Sequence, residues 1–274
     1  MKKFSFAFIL LLLVAVVSAC GNGEKTEDGK AAALNTKKLV IGVTAGPHEE
    51  IAEKVAEVAK KEGLDIKLKV FSDYVLPNTA LHEGSLDANS FQHVPFLKQY
   101  NKDKGDNLVA VGKTILTPMG IYSKKYKNFD DIPNGSKIAI PNDPTNGSRA
   151  LEILEKEGYI TLKDTGDDLP TVYDVDQNKK NLKFIELEAA QIPKQLSEVA
   201  AAAINTNFAL EAKLSPKKDS ILLEGTDSPY TNEIVVRKEN KNDPTIKKFV
   251  KAYQSDEVKK FIEKKYEGSI IPSW

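Results

Sequence analysis

The residues best suited to chemistry lie at 140–151, where polar side chains and an arginine follow a short apolar run. The alternating segment 137–140 predicts a strand, and the apolar spacing after Arg149 predicts a helix that Gly158 can end. Such a strand–loop–helix junction presents unpaired backbone N–H groups and the positive end of a helix dipole. The Arg149 guanidinium adds a bidentate fork for a carboxylate or phosphate. We interpret the segment as an anion clamp for a small molecule; a capped helix with a solvated arginine is the alternative.

Polar residues at the start of this predicted helix can have two roles. Asn142, Asp143, Thr145 and Asn146 are all of residue types that cap helix N-termini. An asparagine can also contact a ligand, because its amide both donates and accepts hydrogen bonds. Capping is the simpler interpretation of Asn146, and contact with a ligand is the alternative.

The first elements of the chain predict a parallel sheet covered by helices. Segments 38–43 and 65–71 have the apolar patterns of strands, and 48–62 carries apolar residues at helical spacing. This β-α-β opening is typical of α/β proteins, whose ligands bind beyond the carboxyl ends of the strands. The loops at 44–47 and 72–78 would therefore lie on the ligand side.

The rest of the chain predicts a second lobe, inserted between two parts of the first. Further strands are predicted at 107–115, 137–140, 181–187, 200–205, 220–224 and 233–237. Further helices are predicted at 95–100, 189–199 and 208–214, with helix starts near 130, 242 and 255 and a polar excursion at 161–181. Segments 117–122 and 227–232 are interpreted as hinge crossings. We predict a two-lobe α/β fold, each lobe a mostly parallel sheet flanked by helices, with lobe I at 37–116 plus 233–274 and lobe II at 117–232.

Composition limits the classes of function. The 274 residues are 41% hydrophobic and 28% charged, with a formal net charge of zero and no evident basic face, so we expect no nucleic acid partner. Cys20 is the only cysteine, which argues against a disulfide framework and a thiol catalyst. The motifs Gly-x-Ser-x-Gly and His-Glu-x-x-His do not occur. We expect a globular binding module that is not an enzyme and needs no cofactor.

The N-terminus has the pattern of a targeting segment. Lys2 and Lys3 precede the apolar run 4–17, and small residues come just before Cys20. This pattern resembles a bacterial lipoprotein signal peptide at 1–19, after which Cys20 would be lipidated; a plain secretory signal followed by a chance cysteine is the alternative. Residues 20–36 have almost nothing to bury and predict a flexible tether. We therefore expect a protein that is lipid-anchored to the cell membrane on its extracytoplasmic face.

Five motifs, in the same order along the chain, carry a resemblance to a known family. They are the segments at 71–78 (Phe-Ser-Asp-Tyr-Val-Leu-Pro-Asn), 87–93 (Asp-Ala-Asn-Ser-Phe-Gln-His), 141–146 (Pro-Asn-Asp-Pro-Thr-Asn), 204–206 (Ile-Asn-Thr) and 228–232 (Ser-Pro-Tyr-Thr-Asn). By these motifs the chain resembles the NlpA lipoprotein family from about residue 38 to residue 274. The resemblance implies a type 2 periplasmic-binding-protein fold that closes on methionine and delivers it to the permease and ATPase subunits of an ABC importer. L-methionine is the expected ligand, with D-methionine and a methionine dipeptide as alternatives.

The same resemblance implies the contacts of the ligand. Arg149 would pair with the ligand carboxylate, and Asn205 and Asn232 would bind the amino-acid head group. The side-chain pocket would be lined by Tyr74, Phe91 and His93. The pair Asn207-Phe208 departs from the family pattern, which leaves both Asn205 and Asn207 as candidates for the head-group contact.

The main alternative function is a zinc- or manganese-binding lipoprotein of an uptake system. The histidines are His48, His82 and His93, and no two form a close pair in the sequence, so a metal site has little support and we expect none. A Ser-His-Asp enzyme is a further alternative, although nothing in the sequence positions such a triad. A structural surface lipoprotein or adhesin would not need a buried set of arginine and asparagine side chains.

Overall fold

The computed structural model describes residues 34–274, and these residues belong to one compact unit. The predicted signal peptide at 1–19, the lipidation site Cys20 and most of the predicted tether at 20–36 lie outside the described residues. Among residues 34–274, no helix combines the length and the apolar character needed to span a bilayer.

Strands and helices alternate along most of the described chain. The strands are β1 (Lys38–Thr44), β2 (Asp65–Phe71), β3 (Ala88–His93), β4 (Val109–Leu116), β5 (Gly120–Tyr122), β6 (Lys137–Pro141), β7 (Ile160–Leu162), β8 (Val175–Asn178), β9 (Lys183–Leu187), β10 (Ala201–Ile204), β11 (Ser220–Leu223), β12 (Thr231–Val236) and β13 (Ile271–Pro272). The helices are α1 (Pro47–Lys61), α2 (Leu76–His82), α3 (Val94–Lys104), α4 (Pro144–Lys156), α5 (Ile192–Gln195), α6 (Thr206–Glu211), α7 (Pro216–Asp219), α8 (Pro244–Tyr253) and α9 (Asp256–Tyr266).

Two sheets organise these elements. The first has the strand order β13-β4-β12-β3-β1-β2 and the second has the order β11-β5-β10-β6-β9, while β7 and β8 form a separate hairpin. In the first sheet β1 to β4 run in one direction, and β12 and β13 run against them. In the second sheet only β5 runs against the other strands. The predicted α/β class with two mostly parallel sheets is therefore confirmed.

The antiparallel strands β5 and β12 are those that the chain enters when it passes from one sheet to the other. Neither is reached through a helical crossover, which is the connection that keeps successive strands parallel. The strands of the first sheet come from residues 38–116 and 231–272, and those of the second from 120–223. The lobe boundaries at 116/117 and 232/233 stay a prediction.

Each sheet has an apolar core on its helix-covered faces. In the first, α1 turns the apolar stripe Ile51, Val55 and Ala59 toward β1 and packs with α8 and α9. In the second, α4 buries Leu151 and Leu154 against β6 and β10. Helical spacing in the sequence therefore identified the faces on which the cores are built.

Some sequence-based assignments are wrong in detail. The helix predicted at 189–199 is a 3-10 turn at Ala189–Gln191 followed by the short α5, and turns then lead into β10. Ile192, Leu196 and Val199 are all buried there. The same spacing of apolar residues is therefore compatible with one long helix and with a short helix followed by turns. The helix start near 130 is only a 3-10 turn, and the polar excursion at 161–181 contains the hairpin of β7 and β8.

Candidate functional site

A small cavity lies where the carboxyl ends of strands from both sheets meet. The cavity is lined by His48, Tyr74, Phe91, Gln92, His93, Phe96, Thr117, Asn146, Arg149, Asn205, Asn207 and Asn232. The structure thus brings together Tyr74, Phe91, His93, Asn146, Arg149, Asn205 and Asn232, the residues predicted from the sequence.

The junction between β6 and α4 positions Arg149. Asp143 caps α4 by accepting a hydrogen bond from the backbone N of Asn146. Gly147 allows the helix to approach the strand closely, because a Cβ at this position would lie 2.9 Å from the carbonyl oxygen of Pro141. Arg149 then projects from the second turn of α4 and is only 2% exposed. Its guanidinium is therefore held in the cavity wall.

The bidentate fork of Arg149 is occupied by a protein carboxylate. Nε donates to Oε1 of Glu224 at 2.9 Å, and Nη2 donates to Oε2 of Glu224 and, at 2.9 Å, to the carbonyl of Thr117. The ring of Tyr230 stacks 4.4 Å from Cζ. Among residues 34–274, no hydrogen bond uses Nη1. This corrects the sequence interpretation, since only Nη1, and not the whole fork, remains for a ligand.

One asparagine presents an unpaired acceptor. Nδ2 of Asn205 donates to Oδ1 of Asn146 at 2.9 Å. Oδ1 of Asn205 is buried and has no hydrogen-bond partner in the described part of the chain. A buried acceptor without a partner is costly, so this oxygen is suited to receive a hydrogen bond from a ligand.

A second asparagine presents an unpaired donor. The hydroxyl of Tyr74, which follows β2, donates to Oδ1 of Asn207 on α6 at 2.5 Å. This leaves Nδ2 of Asn207 buried and without a partner in residues 34–274. Asn205 and Asn207 therefore both face the cavity, one with an acceptor and the other with a donor. The sequence left them as alternatives, whereas the structure gives each of them a different hydrogen-bonding role.

The predicted contact Asn232 lies in β12 and its amide is partly engaged. Nδ2 donates to the carbonyl of Phe91 at 3.3 Å and lies 3.5 Å from Nε2 of His48. On the described residues, no hydrogen bond uses Oδ1 of Asn232. This residue can therefore offer a ligand an acceptor, while its donor is used by the protein.

Aromatic rings form one wall of the cavity. The ring of Tyr74 is 6.0 Å from that of Phe91 and 4.9 Å from that of Phe208, and Phe91 meets Phe96 edge to face at 6.0 Å. Phe96 was not predicted from the sequence, because its place at the start of α3 carries no local sign of a pocket. The contact between Tyr74 and Phe208 joins elements of the two sheets.

Other functional residues were also missed. Glu224 follows β11 and pairs with an arginine 75 positions away in the sequence, so no local pattern could identify it. Tyr230 lies in a motif that carried the family resemblance, but its stacking on Arg149 was not foreseen. His48, Gln92 and Thr117 line the cavity without having been predicted as contacts.

The histidines do not gather into a metal cluster. His48 and His93 line the cavity, but His82 is exposed and pairs with Asp106. Within residues 34–274 there is no group of three or more His, Cys, Asp or Glu side chains placed to hold a metal ion.

Burial keeps the two cavity histidines neutral. It lowers the pKa of His48 from 6.5 to about 4 and that of His93, with a smaller contribution from the charge of Arg149, to about 3. His93 accepts a hydrogen bond from the backbone N of Phe96 at Nδ1, so its hydrogen is on Nε2, which faces Oδ1 of Asn146 at 3.3 Å. The tautomer of His93 is thereby fixed.

These lowered pKa values predict that acid destabilises the fold. Between pH 6.5 and 5 the unfolded chain binds protons at His48 and His93 that the folded chain does not. The free energy of unfolding should therefore decrease as the pH is lowered. The slope is about 1.4 kcal/mol per pH unit for each histidine once the unfolded form is fully protonated. Urea unfolding across this range should give a smaller slope for His48→Gln than for the unchanged chain; equal slopes would contradict the prediction.

Comparisons with known proteins identify the family of the chain. The model of the family described as "NlpA lipoprotein" matches residues 39–274. The chain is 46% identical over 276 residues to the D-methionine-binding lipoprotein MetQ of Escherichia coli (strain K12), covering all of this chain and 98% of that protein. A nutrient binding protein from Burkholderia cenocepacia, solved bound to methionine, superposes with a TM-score of 0.85 at 51% identity, covering 86% of this chain and all of that one. The lipoprotein Tp32 from Treponema pallidum superposes with a TM-score of 0.84 at 34% identity, covering 87% and 100%. The predicted resemblance is confirmed, and the chain belongs to the NlpA lipoprotein family.

Proposed function

We propose that this chain is an extracytoplasmic substrate-binding lipoprotein that captures methionine in the cavity and delivers it to the permease of an ABC importer. One observation carries the proposal. A buried acceptor, Oδ1 of Asn205, and a buried donor, Nδ2 of Asn207, have no partner in the described part of the chain and lie beside an aromatic wall. Each part of the cavity corresponds to one part of a methionine molecule.

The polar atoms of the cavity suit the head group of an amino acid. An ammonium group has only donors, and Oδ1 of Asn205 and Oδ1 of Asn232 can accept from it. A carboxylate has only acceptors, and Nη1 of Arg149 and Nδ2 of Asn207 can donate to it. A zwitterion therefore satisfies both sets of atoms at once.

The charges of the cavity wall suit the same ligand. The Arg149–Glu224 pair has no net charge, and His48 and His93 are neutral because burial lowers their pKa values. A molecule that carries a net charge would have to be desolvated without a full counter-charge, which is costly in a buried site. An amino acid with an uncharged side chain avoids this cost.

The aromatic wall suits the thioether of methionine. Tyr74, Phe91 and Phe96 place three rings around the cavity. Contacts between sulfur and an aromatic ring contribute about 0.3–1.5 kcal/mol each, beyond the burial of apolar surface. The names of the relatives, which include a D-methionine-binding lipoprotein and a protein solved with methionine, support the same ligand.

The family and the sequence both support delivery to a membrane complex. We infer that Cys20 carries the lipid anchor, that residues 37–116 plus 233–274 and residues 117–232 form the lobes, and that the permease acts with ATPase subunits. Contacts such as Tyr74 with Asn207 and His93 with Asn146 join the two sheets across the cavity. A ligand held by both sides would favour the closed form that a permease could recognise.

Calorimetry on the full chain in detergent, unfolded and refolded to remove any bound ligand, tests the proposal. L-methionine, D-methionine and glycyl-methionine should be titrated separately, with zinc chloride as the control for the metal-binding alternative. We expect saturable binding of L-methionine, and the order of the three affinities identifies the preferred stereochemistry and ligand length. Binding of zinc with no binding of any methionine compound would reject the proposal.

A further inference from the structure

We propose that Asp143 is a positioning residue that fixes the direction of a hydrogen-bond chain through Asn146 to Asn205, and so makes the cavity select ligands that carry an ammonium group. The inference rests on the proposed function and deepens it. It assigns a role in specificity to a carboxylate that does not itself line the cavity.

The chain starts at a group that can only accept. Oδ1 of Asp143 accepts from the hydroxyl of Thr145 at 3.0 Å and from the backbone N of Asn146 at 2.9 Å. Nδ2 of Asn146 lies 2.9 Å from Oδ1 and 3.0 Å from Oδ2 of the same carboxylate. All of these partners are donors, which is the environment of an ionised carboxylate.

Burial opposes that ionised state and the surrounding donors support it. Burial is the largest effect and raises the pKa of Asp143 above its ordinary value, while its hydrogen bonds with Asn146 and Thr145 and the charge of Arg149 act in the opposite direction. The geometry decides between these effects, since a protonated Asp143 would place a hydrogen against one of the donors. With the carboxylate ionised, Asn146 must direct Nδ2 toward Asp143 and Oδ1 away from it.

The orientation of Asn146 then fixes that of Asn205. Oδ1 of Asn146 can only accept, and it receives Nδ2 of Asn205 at 2.9 Å. The other neighbour of this oxygen is Nε2 of His93 at 3.3 Å, which carries the ring hydrogen because Nδ1 accepts from the backbone of Phe96. Both neighbours of the Asn146 oxygen are therefore donors, and a reversed amide would leave neither of them satisfied.

The last link reaches the cavity. Because Asn205 uses Nδ2 on Asn146, its free atom is Oδ1, which is buried and unpaired in the described part of the chain. An ammonium group satisfies this acceptor, whereas a ligand without one leaves it desolvated and unpaired. Through this chain, the amide orientation that Asp143 sets makes the cavity prefer ligands that carry an ammonium group.

Asp143→Asn tests this role and preserves the helix cap, because asparagine caps as well as aspartate. A carboxamide at position 143 presents one acceptor and one donor to Asn146, so the orientation of Asn146 then depends on the 3.3 Å contact with Nε2 of His93 alone. Thr145→Val is the matched control, since it removes another donor to the same carboxylate and leaves the direction of the chain unchanged. The probes are L-methionine and its deaminated analogue γ-methylthiobutyrate, titrated by calorimetry into the full chain.

In the unchanged chain and in Thr145→Val, methionine should bind roughly 10- to 100-fold more tightly than the deaminated analogue. In Asp143→Asn this ratio should fall by about 10-fold. An equal loss of affinity for both probes, or an unchanged ratio, would overturn the inference, because a purely structural role weakens both alike.

A second variant covers a failure of Asp143→Asn to fold. Asn146→Ala cuts the chain at its next link while Asp143 still caps α4, and it should lower the same ratio. If the unchanged chain binds no amino acid, the proposed function fails. If it binds methionine and both variants keep the full ratio, only the inference about Asp143 fails.

Discussion

Arg149→Met should abolish detectable methionine binding and lower the free energy of unfolding by about 3–5 kcal/mol. The two effects have different causes. Binding is lost because Nη1 of Arg149 is the cationic donor in the cavity wall. Stability is lost because Glu224, only 10% exposed on its side chain, remains in the protein without its counter-charge. Denaturant unfolding and calorimetry measure the two effects separately.

The double variant Arg149→Met with Glu224→Leu separates structure from binding. Replacing both members of a buried ion pair by apolar residues of similar volume is often neutral for stability, so most of the lost unfolding free energy should return. Methionine binding should not return, since the cavity would still lack its cation. Recovery of binding in the double variant would show that Arg149 serves only the fold and that the carboxylate is bound elsewhere.

The ion pair also explains why a lone arginine in a sequence is easily misjudged. The motif around Arg149 correctly predicted a capped helix, and the structure places the buried arginine in the wall of a cavity. The same motif suggested that the whole fork faces a ligand, because the competing carboxylate, Glu224, is distant in the sequence and follows an unremarkable strand. Local chemistry identifies what a side chain can do, and tertiary contacts decide how much of that capacity is left.

The fold, too, was predicted correctly where local sequence determines it and wrongly where tertiary structure does. Strands such as β1 and β2, and the helix α1 between them, were predicted to within a residue or two, since their apolar periods are strong and each lies against one continuous core. The helix predicted at 189–199 was not, because the chain must turn after α5 in order to enter β10. Periodicity shows which side chains are buried, but it does not show how far the backbone can continue before the next strand begins.

The polar half of the site shows a further limit of sequence reasoning. Asn205 and Asn207 are two positions apart and chemically identical, so residue type alone could not assign their roles. Their roles differ because the partners differ: Asn205 donates to Asn146, and Asn207 accepts from Tyr74. Each partner comes from a distant segment of the chain. The direction of an amide is therefore a property of the network around it.

Phe91→Ala should have the largest effect among substitutions in the aromatic wall. Phe91 is 4% exposed, and its ring meets those of Tyr74 and Phe96, so truncation should lower the free energy of unfolding by about 3–5 kcal/mol. It also removes a ring from the position proposed for the thioether. The preference for methionine over norleucine, which has a methylene in place of the sulfur, should then shrink by roughly 2- to 10-fold.

Phe129→Ala is the matched control for this prediction. Phe129 is 2% exposed and packs on Tyr159 in the core of the second sheet, and it does not line the cavity. It should therefore cost a similar unfolding free energy and leave the methionine-to-norleucine ratio unchanged. Calorimetry should be performed at a temperature where both variants are folded. If both variants change the ratio equally, stability and not ring contact controls selectivity; if Phe91→Ala leaves the ratio intact, the thioether lies elsewhere in the cavity.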